Sequence, residues 1–299
     1  MTVLVTGASG FVGHAVCAEL RSRGLPVAAL CRRPGSEPAG TRLVTGELTD
    51  GEALTRALAE VRPEAIIHLA AEIATQRDAG RIQEINVRGT QRLIDAARAA
   101  GEPTFLFAST VVTGQADGAL LDETSALPVQ TAYGRSKLQG EQLVRASGLP
   151  HVVIRPSHVY GPGGWYAVEI VGRLRGPGRF AVVGSGENWW DVVHVDDVAT
   201  AFADALQRAS SGGTYHVVDD EPIRYREFVT LTAQALGLGP PRNVPAWLAR
   251  LAAGPDPVRA VLRSARSSNA RIKRELGWSP RFGSAALGVP DAVGRLLAR

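Results

Sequence analysis

Tyr133-Gly134-Arg135-Ser136-Lys137 sets a phenol and an ammonium four residues apart, on the same face of any helix that carries them. Tyrosine is a poor acid–base group at neutral pH. A neighbouring ammonium, together with an oxidised nicotinamide, favours its phenolate and would bring its pKa toward a working range. The pair stands out because lysine occurs only at Lys137 and Lys273. A second group is Thr6-Gly7-Ala8-Ser9-Gly10-Phe11-Val12-Gly13, near the start of the chain. Gly7 permits a tight turn, Gly10 lets backbone approach a pyrophosphate, and Gly13 allows a helix to pack closely. Ser9, Phe11 and Val12 then open a helix whose unpaired N–H groups favour a diphosphate. Ser109 is a third candidate, a hydroxyl able to hold a carbonyl oxygen while Tyr133 handles its proton.

Short apolar runs alternating with helical patterns must position these groups. Val3–Val5, Pro26–Leu30, Ala65–Leu69, Thr104–Ala108 and His151–Ile154 read as strands. Between them, Val12, Ala15, Val16 and Leu20 recur at helical spacing up to Gly24, and Thr49-x-x-Glu52 has the spacing of a capping box. Helices are also expected over 82–99 and 131–147. Apolar strands separated by helices predict an α/β fold, a doubly wound parallel sheet covered on both faces. Ser109 then lies at the carboxyl edge, where such sheets bind ligands. After Arg155 the pattern loosens, with short strands at 192–195 and 215–218 around a helix over 197–208. The expected division is a dinucleotide-binding domain over 1–160, rejoined by about 190–215, with a smaller interwoven substrate domain over 161–189 and 216–299.

The second strand ends at Leu30-Cys31-Arg32-Arg33. A carboxylate there would hold the ribose 2′-hydroxyl of NAD, whereas arginine would meet the 2′-phosphate of NADP. Arg32 and Arg33 favour NADP(H) over NAD(H), the bland alternative being two solvated loop residues. The formal charge of +4 rests on scattered arginines without interleaved aromatics, so nucleic acid is not an expected partner. Cys17 and Cys31 fit no metal-ligand spacing and read as inert thiols. His14, His68, His151 and His216 lack metal spacing, and no metal is expected. His194, Asp196 and Asp197 read as structural, one aspartate capping the following helix. MTVLVTGASG lacks the pattern of a secretory signal, and no run is apolar enough to span a bilayer. A cytoplasmic location with no membrane partner is the expectation.

TGASGFVG at 6–13, HLAA at 68–71, FAST at 107–110 before Gly114, YGRSK at 133–137, IRPSHVYGPG at 154–163, VHVDDVA at 193–199 and SNARIKRELGW at 268–278 resemble an extended short-chain dehydrogenase/reductase of the NAD(P)-dependent epimerase/dehydratase type. The resemblance covers essentially the whole chain. It implies that Lys137 also holds the nicotinamide ribose, that Glu47 and Leu48 lie near adenine, and that Leu69, Ala70 and Ala71 pass under the cofactor. It further implies that Pro156 to His158 border the nicotinamide pocket, that Ser109 is the family's catalytic hydroxyl, and that helices near 83–99 and 130–147 form a homodimer.

Departures from the family pattern narrow the chemistry. Dehydratases carry an Asp-Glu pair after the catalytic hydroxyl, where this chain has Thr110-Val111, which argues against elimination. Trp190 replaces an arginine that meets the diphosphate of sugar nucleotides, although Arg173, Arg175 and Arg179 lie nearby in sequence. His158 stands where many relatives have Asn, and Thr113 where many have Tyr. Substrate contacts are expected from Glu72, Thr110, His158, Trp165 and Trp190. Trp165, Trp189 and Trp190 suit either an apolar pocket or a small domain's core. The favoured expectation is NADPH-dependent reduction of a small-molecule ketone or aldehyde, a keto-sugar or secondary-metabolite intermediate, with Tyr133 as proton donor. The rivals are an epimerase that retains its NAD(P) and a non-catalytic NADP(H) sensor.

Overall fold

The computed structural model describes residues 1–111, 116–126 and 128–298, with backbone alone at 180 and 181. Thr113 and Gly114 therefore lie outside the described residues. Contacts divide the chain into two compact units. The first comprises Met1–Thr110, Ala132–Arg155 and Val198–Tyr215; the second comprises Val111–Thr131, Pro156–Asp197 and the chain from His216 onward.

The first unit is built on strands β1 (Val3–Thr6), β2 (Val27–Cys31), β3 (Arg42–Thr45), β4 (Ala65–His68), β5 (Thr104–Ala108), β7 (His151–Pro156) and β12 (Gly213–Val217). They form one sheet in the order β12-β7-β5-β4-β1-β2-β3. The pairings among β1 to β5 and β7 are parallel. This is a Rossmann-like doubly wound sheet. Its strand order reverses between β1 and β4, the place where such sheets bind ligands. β1, β2 and β4 are buried along their whole length, which is why they read as unbroken apolar runs. Helices α1 (Phe11–Ser22), α2 (Gly51–Val61), α4 (Gly89–Ala99) and α5 (Ala132–Ala146) belong to this unit. Leu54, Leu58, Leu93, Ile94 and Val144 from three of them pack with Phe105, Phe107 and Val153 of the sheet.

Local sequence features explain several boundaries. α2 is capped by Asp50, whose side chain accepts from the Ala53 N–H, not by Thr49 as the capping-box spacing suggests. Asp and Thr are both good caps, and Asp50 is the residue next to the first turn. The stretch expected as one helix from 82 contains α3 (Ala79–Ile82), a π-helical segment over Gln83–Arg88, and α4.

The second unit is assembled from short pieces. β6 (Leu120–Leu121) pairs with β15 (Arg266–Ser267), and β8 (His158–Tyr160) pairs in parallel with β11 (Val192–His194). These pairings draw 111–131, 156–160 and 190–197 into the second unit, where the sequence boundaries assign 111–131, 156–160 and 190–197 to the first. β9 (Phe180–Val183) pairs with β14 (Arg242–Val244), and β10 (Trp189–Trp190) with β13 (Ile223–Arg224). α6 (Gly172–Arg175), α8 (Tyr225–Ala235), α9 (Ala246–Ala253), α10 (Pro255–Leu262), α11 (Ala270–Leu276) and α12 (Ala285–Leu297) complete it, and α7 (Val195–Arg208) crosses the division. Tyr160, Tyr166, Trp190, Phe228 and Val289 form its core. Among the described residues, no helix is long and apolar enough to cross a membrane.

α2 offers a direct measure of its cap. Asp50→Ala should lower the free energy of unfolding by about 1 kcal/mol in urea titrations, whereas Thr49→Ala should leave it nearly unchanged. The reverse ranking would return the cap to Thr49.

Candidate active site

The glycine loop leaves β1 at Gly7, whose φ of +68° suits glycine. A Cβ on Gly7 would lie 2.7 Å from the Ala70 nitrogen, and one on Gly13 would lie 2.1 Å from the Gly7 carbonyl oxygen. Gly13 therefore permits close packing of α1 on the loop itself. Gly10 donates to the Gly7 carbonyl at 2.9 Å and forms the N-cap of α1 without any side-chain cap. Ser9 and Gly10 are exposed, and Phe11 and Val12 partly so. Open backbone N–H groups at the start of α1, with no Cβ at Gly10 to shield them, fit a diphosphate. Leu69, Ala70 and Ala71 are half-buried beside Gly7.

At the end of β2, Arg32 and Arg33 are exposed, and neither has an ion pair among the described residues. Glu47 is exposed, whereas Leu48 is buried against Gly89, where a Cβ would stand 2.8 Å from that of Leu48.

α5 carries Tyr133 and Lys137 on the face toward β5. The Lys137 ammonium donates to the Ala108 carbonyl at 2.8 Å, lies 5.2 Å from the Phe107 ring centre, and is 5.9 Å from that of Tyr133. An ammonium has three donors, so the Ala108 bond leaves others for a ribose. Burial lowers the Lys137 pKa to about 8, against the pull of Glu141. Burial raises the Tyr133 phenol to about 12. This is the phenol of the chain alone, without the oxidised nicotinamide on which the sequence expectation for Tyr133 also rests. At neutral pH the phenol holds its proton.

Behind this pair, Glu141 receives two bonds from Arg155, at 2.8 and 2.7 Å. Burial works to raise the Glu141 pKa, yet Arg155 brings it below the usual range, with help from the Ser109 hydroxyl. Ser109 is buried just after β5; among the described residues its oxygen meets no partner with full hydrogen-bond geometry, and Glu141 is the carboxylate near enough to feel its hydroxyl. Thr110 is buried beside it in sequence.

A buried polar chain that sequence reasoning missed joins the glycine loop to α5. The Ala70 N–H donates to Thr6 Oγ1 (3.2 Å), Thr6 Oγ1 meets His68 Nδ1 (2.7 Å), and His68 Nε2 meets Thr90 Oγ1 (2.9 Å). The Thr90 hydroxyl donates to the Asn86 carbonyl at 2.7 Å. Its proton is thereby used, so His68 must carry hydrogen on Nε2 and accept at Nδ1 from Thr6. Asn86 accepts from the Glu72 N–H, donates to the Glu72 carbonyl, and donates to Ser136 Oγ, at 2.8, 2.9 and 2.9 Å. Ser136 in turn donates to the Tyr133 carbonyl at 2.7 Å. Asn86 lies in the π-helical segment, a feature common at functional sites. An asparagine amid apolar residues was the available signal. The Glu72 carboxylate bonds Arg81 at 2.6 Å, so a substrate would have to share it.

In the second unit, His158 donates from Nδ1 to the Asp191 carbonyl at 2.9 Å, which leaves Nε2 as an acceptor. Its ring stacks on Trp190 at 4.2 Å. Burial lowers its pKa to about 4, against the Asp191 bond, so the imidazole is neutral. Trp190, expected among the substrate contacts, is 1% exposed. It packs between His158 and Tyr225, and its N–H is bonded to the Val261 carbonyl. It is a core residue supporting His158. Trp165 is half-buried and donates to the Val159 carbonyl at 2.7 Å; Trp189 lies 3.7 Å beneath the Arg224 guanidinium. Pro156 is buried.

α7 begins at Val195, so Asp196 and Asp197 stand inside its first turn and neither is its N-cap. Asp197 instead accepts from the Arg281 and Phe282 N–H groups at 2.6 and 3.0 Å. His194, Asp196 and Asp291 place ligand atoms within 4.8 Å of one another, but Arg295 bonds both carboxylates, at 2.6 and 3.1 Å, and supplies the positive charge there.

A glycine loop at the switch point and a Tyr–Lys pair on α5 have counterparts in known proteins. The NAD dependent epimerase/dehydratase family matches residues 3–219. This chain belongs to that family. It is 32% identical over 293 residues to a 3-diazoavenalumate denitrifying reductase of a Streptomyces species, covering 94% of this chain and 96% of that one. It is 31% identical to a 2-alkyl-3-oxoalkanoate reductase of Stenotrophomonas maltophilia over 253 residues, covering 79% and 76%. The crystal structure of Thermus thermophilus UDP-glucose 4-epimerase in complex with NAD superposes with a TM-score of 0.83 at 28% identity, covering 99% of both chains. The chain is thus an NAD(P)-dependent enzyme of the extended short-chain type.

The pKa of His68 fixes a sign for acid stability. Burial, then Lys137, lowers it from 6.5 to about 3. Between those values the unfolded chain binds a proton that the folded one refuses, so stability is complete above pH 6.5 and declines as pH falls. From pH 6.5 to 5, urea titrations should show a loss of about 2 kcal/mol from this residue. His68→Gln should make that limb shallower; an unchanged slope would exclude His68 as its source.

Proposed function

We propose that the protein reduces the carbonyl group of an apolar or mixed-polarity small molecule with NADPH. The observation that carries this reading is the Tyr133–Lys137 arrangement, with the phenol protonated at neutral pH and the ammonium anchored on Ala108. A protonated phenol is the form needed to donate to a carbonyl oxygen as it gains charge. Ser109 shares that oxygen, its hydroxyl turning to it from the neighbouring Glu141 carboxylate. Lys137 keeps its charge close to the phenol and orients the ribose through its remaining donors. When bound, the reduced nicotinamide supplies the hydride to the carbonyl carbon. Arg32 and Arg33, both exposed and without an ion pair among the described residues, would meet a 2′-phosphate, which supports NADPH over NADH. Thr110-Val111 in place of an acidic pair, and a relative named as a 2-alkyl-3-oxoalkanoate reductase, support reduction over dehydration.

An epimerase that retains its cofactor is the second reading, favoured by the likeness to UDP-glucose 4-epimerase. Product analysis separates the two: reduction consumes one NADPH per turnover, whereas epimerisation interconverts isomers without net consumption.

Tyr133→Phe should reduce kcat roughly a hundredfold to ten-thousandfold while NADPH still binds, as measured by quenching of protein fluorescence. Full activity in that variant would remove the phenol from the mechanism. Replacing Arg32 and Arg33 by glutamine should weaken NADPH binding by roughly tenfold or more and leave NADH binding nearly unaltered. Equal losses for the two cofactors would defeat the assignment of the 2′-phosphate.

A further inference from the structure

α9 carries the sequence AWLARLAA and turns its apolar side chains outward. Trp247, Leu248 and Leu251 are 64%, 44% and 77% exposed, and Ala252 is exposed beside them. Residues 247 and 251, and 248 and 252, are successive neighbours along a helix surface, so these four side chains make one continuous apolar face. Ala249 alone is buried, against the core of the second unit. A contiguous apolar face of this kind marks an interaction site.

Charge in the segment that carries that face has one sign. No acidic residue occurs between Glu227 and Asp256, and Asp256 pairs with Arg259 at 3.2 Å. Arg242 and Arg250 in that interval are exposed and have no ion pair among the described residues. A second copy of the chain seated symmetrically on this face would bring Arg250 toward its own equivalent, with no carboxylate in the segment 228–255 to separate them. An occupant that is apolar inside and anionic at its boundary satisfies both features.

We propose that α9 docks the protein on the surface of a bilayer containing anionic phospholipid. Trp247, Leu248 and Leu251 enter the boundary between headgroups and acyl chains, where tryptophan is favoured. Arg242 and Arg250 meet lipid phosphates. Lying in the interface requires no spanning helix, so this differs from insertion across the membrane. The inference is independent of the reaction assigned above and needs no turnover to test.

The test is co-sedimentation of the full-length protein with vesicles of phosphatidylcholine, with and without phosphatidylglycerol. Binding should be at least about tenfold stronger to the anionic vesicles and should weaken with added salt. Trp247→Ala combined with Leu251→Glu should reduce it by about a hundredfold. Arg242→Gln with Arg250→Gln should reduce it by roughly twentyfold. Both variants change exposed side chains, and unaltered NADPH binding and melting temperature would verify their folding. The proposal is overturned if the protein sediments no more with anionic vesicles than without vesicles, or if the Trp247/Leu251 variant binds as the parent does. A fall in solution mass from dimer to monomer in that variant, without vesicle binding by the parent, would assign the face to a second copy instead.

Discussion

The position of the Tyr–Lys pair depends on how closely α5 approaches β5 and β7. A Cβ at Gly140 would stand 2.5 Å from the rim of the Phe107 ring, so only glycine lets the helix settle at this depth. One residue on, Glu141 grips Arg155 of β7 with two charge-assisted bonds. A buried carboxylate left without its guanidinium is costly, on the order of 3–5 kcal/mol, so this contact also fixes the rotation of the helix. Lys137 and Tyr133 lie one and two turns toward the N-terminus from that anchor, and each turn advances about 5.4 Å. The ammonium is thereby delivered to the Ala108 carbonyl and the phenol to the carboxyl edge of the sheet.

Polar groups under the sheet edge continue the same alignment. Thr6, His68, Thr90, Asn86 and Ser136 form an unbroken hydrogen-bonded series from the strand before the glycine loop to the first turn of α5. Nearly every donor and acceptor along it is used, and such satisfied networks specify a single arrangement. His68 serves here as a neutral two-sided connector, one ring nitrogen donating while the other accepts. The loop over 69–72 is held from both sides, by Thr6 at Ala70 and by Asn86 at Glu72. The segment expected to pass beneath a cofactor is thus rigidly tied to the helix that bears Tyr133.

Much of this was legible in the amino-acid order. Strands buried on both faces announce themselves as apolar runs, and the phenol and ammonium sit at a spacing that a helix turns to one side. Gly7 and Gly13 could be read because their lack of a side chain is the property used. Asn86 and His68 could not, since their meaning comes from partners up to sixty-two residues away in the chain. The ionisation of Tyr133 in the chain alone was not legible for a related reason: spacing reveals the nearby charge but not the depth of burial, which raises the phenol's pKa. Trp190 shows the ambiguity of aromatic residues, which suit a pocket wall and a core equally well until exposure is known. The second unit was least legible, because strands of two or three residues leave no periodicity to detect.

The chain passes between its two units at 110–111, 131–132, 155–156, 197–198 and 215–216. Neither unit is a single stretch of polypeptide, so neither can be excised, grafted or inherited as a cassette. Diversification of such a protein must proceed by substitution and loop replacement within an intact chain. Attempts to exchange specificity between relatives by swapping terminal halves would sever the segments that return to the sheet, including the strand ending at Val217.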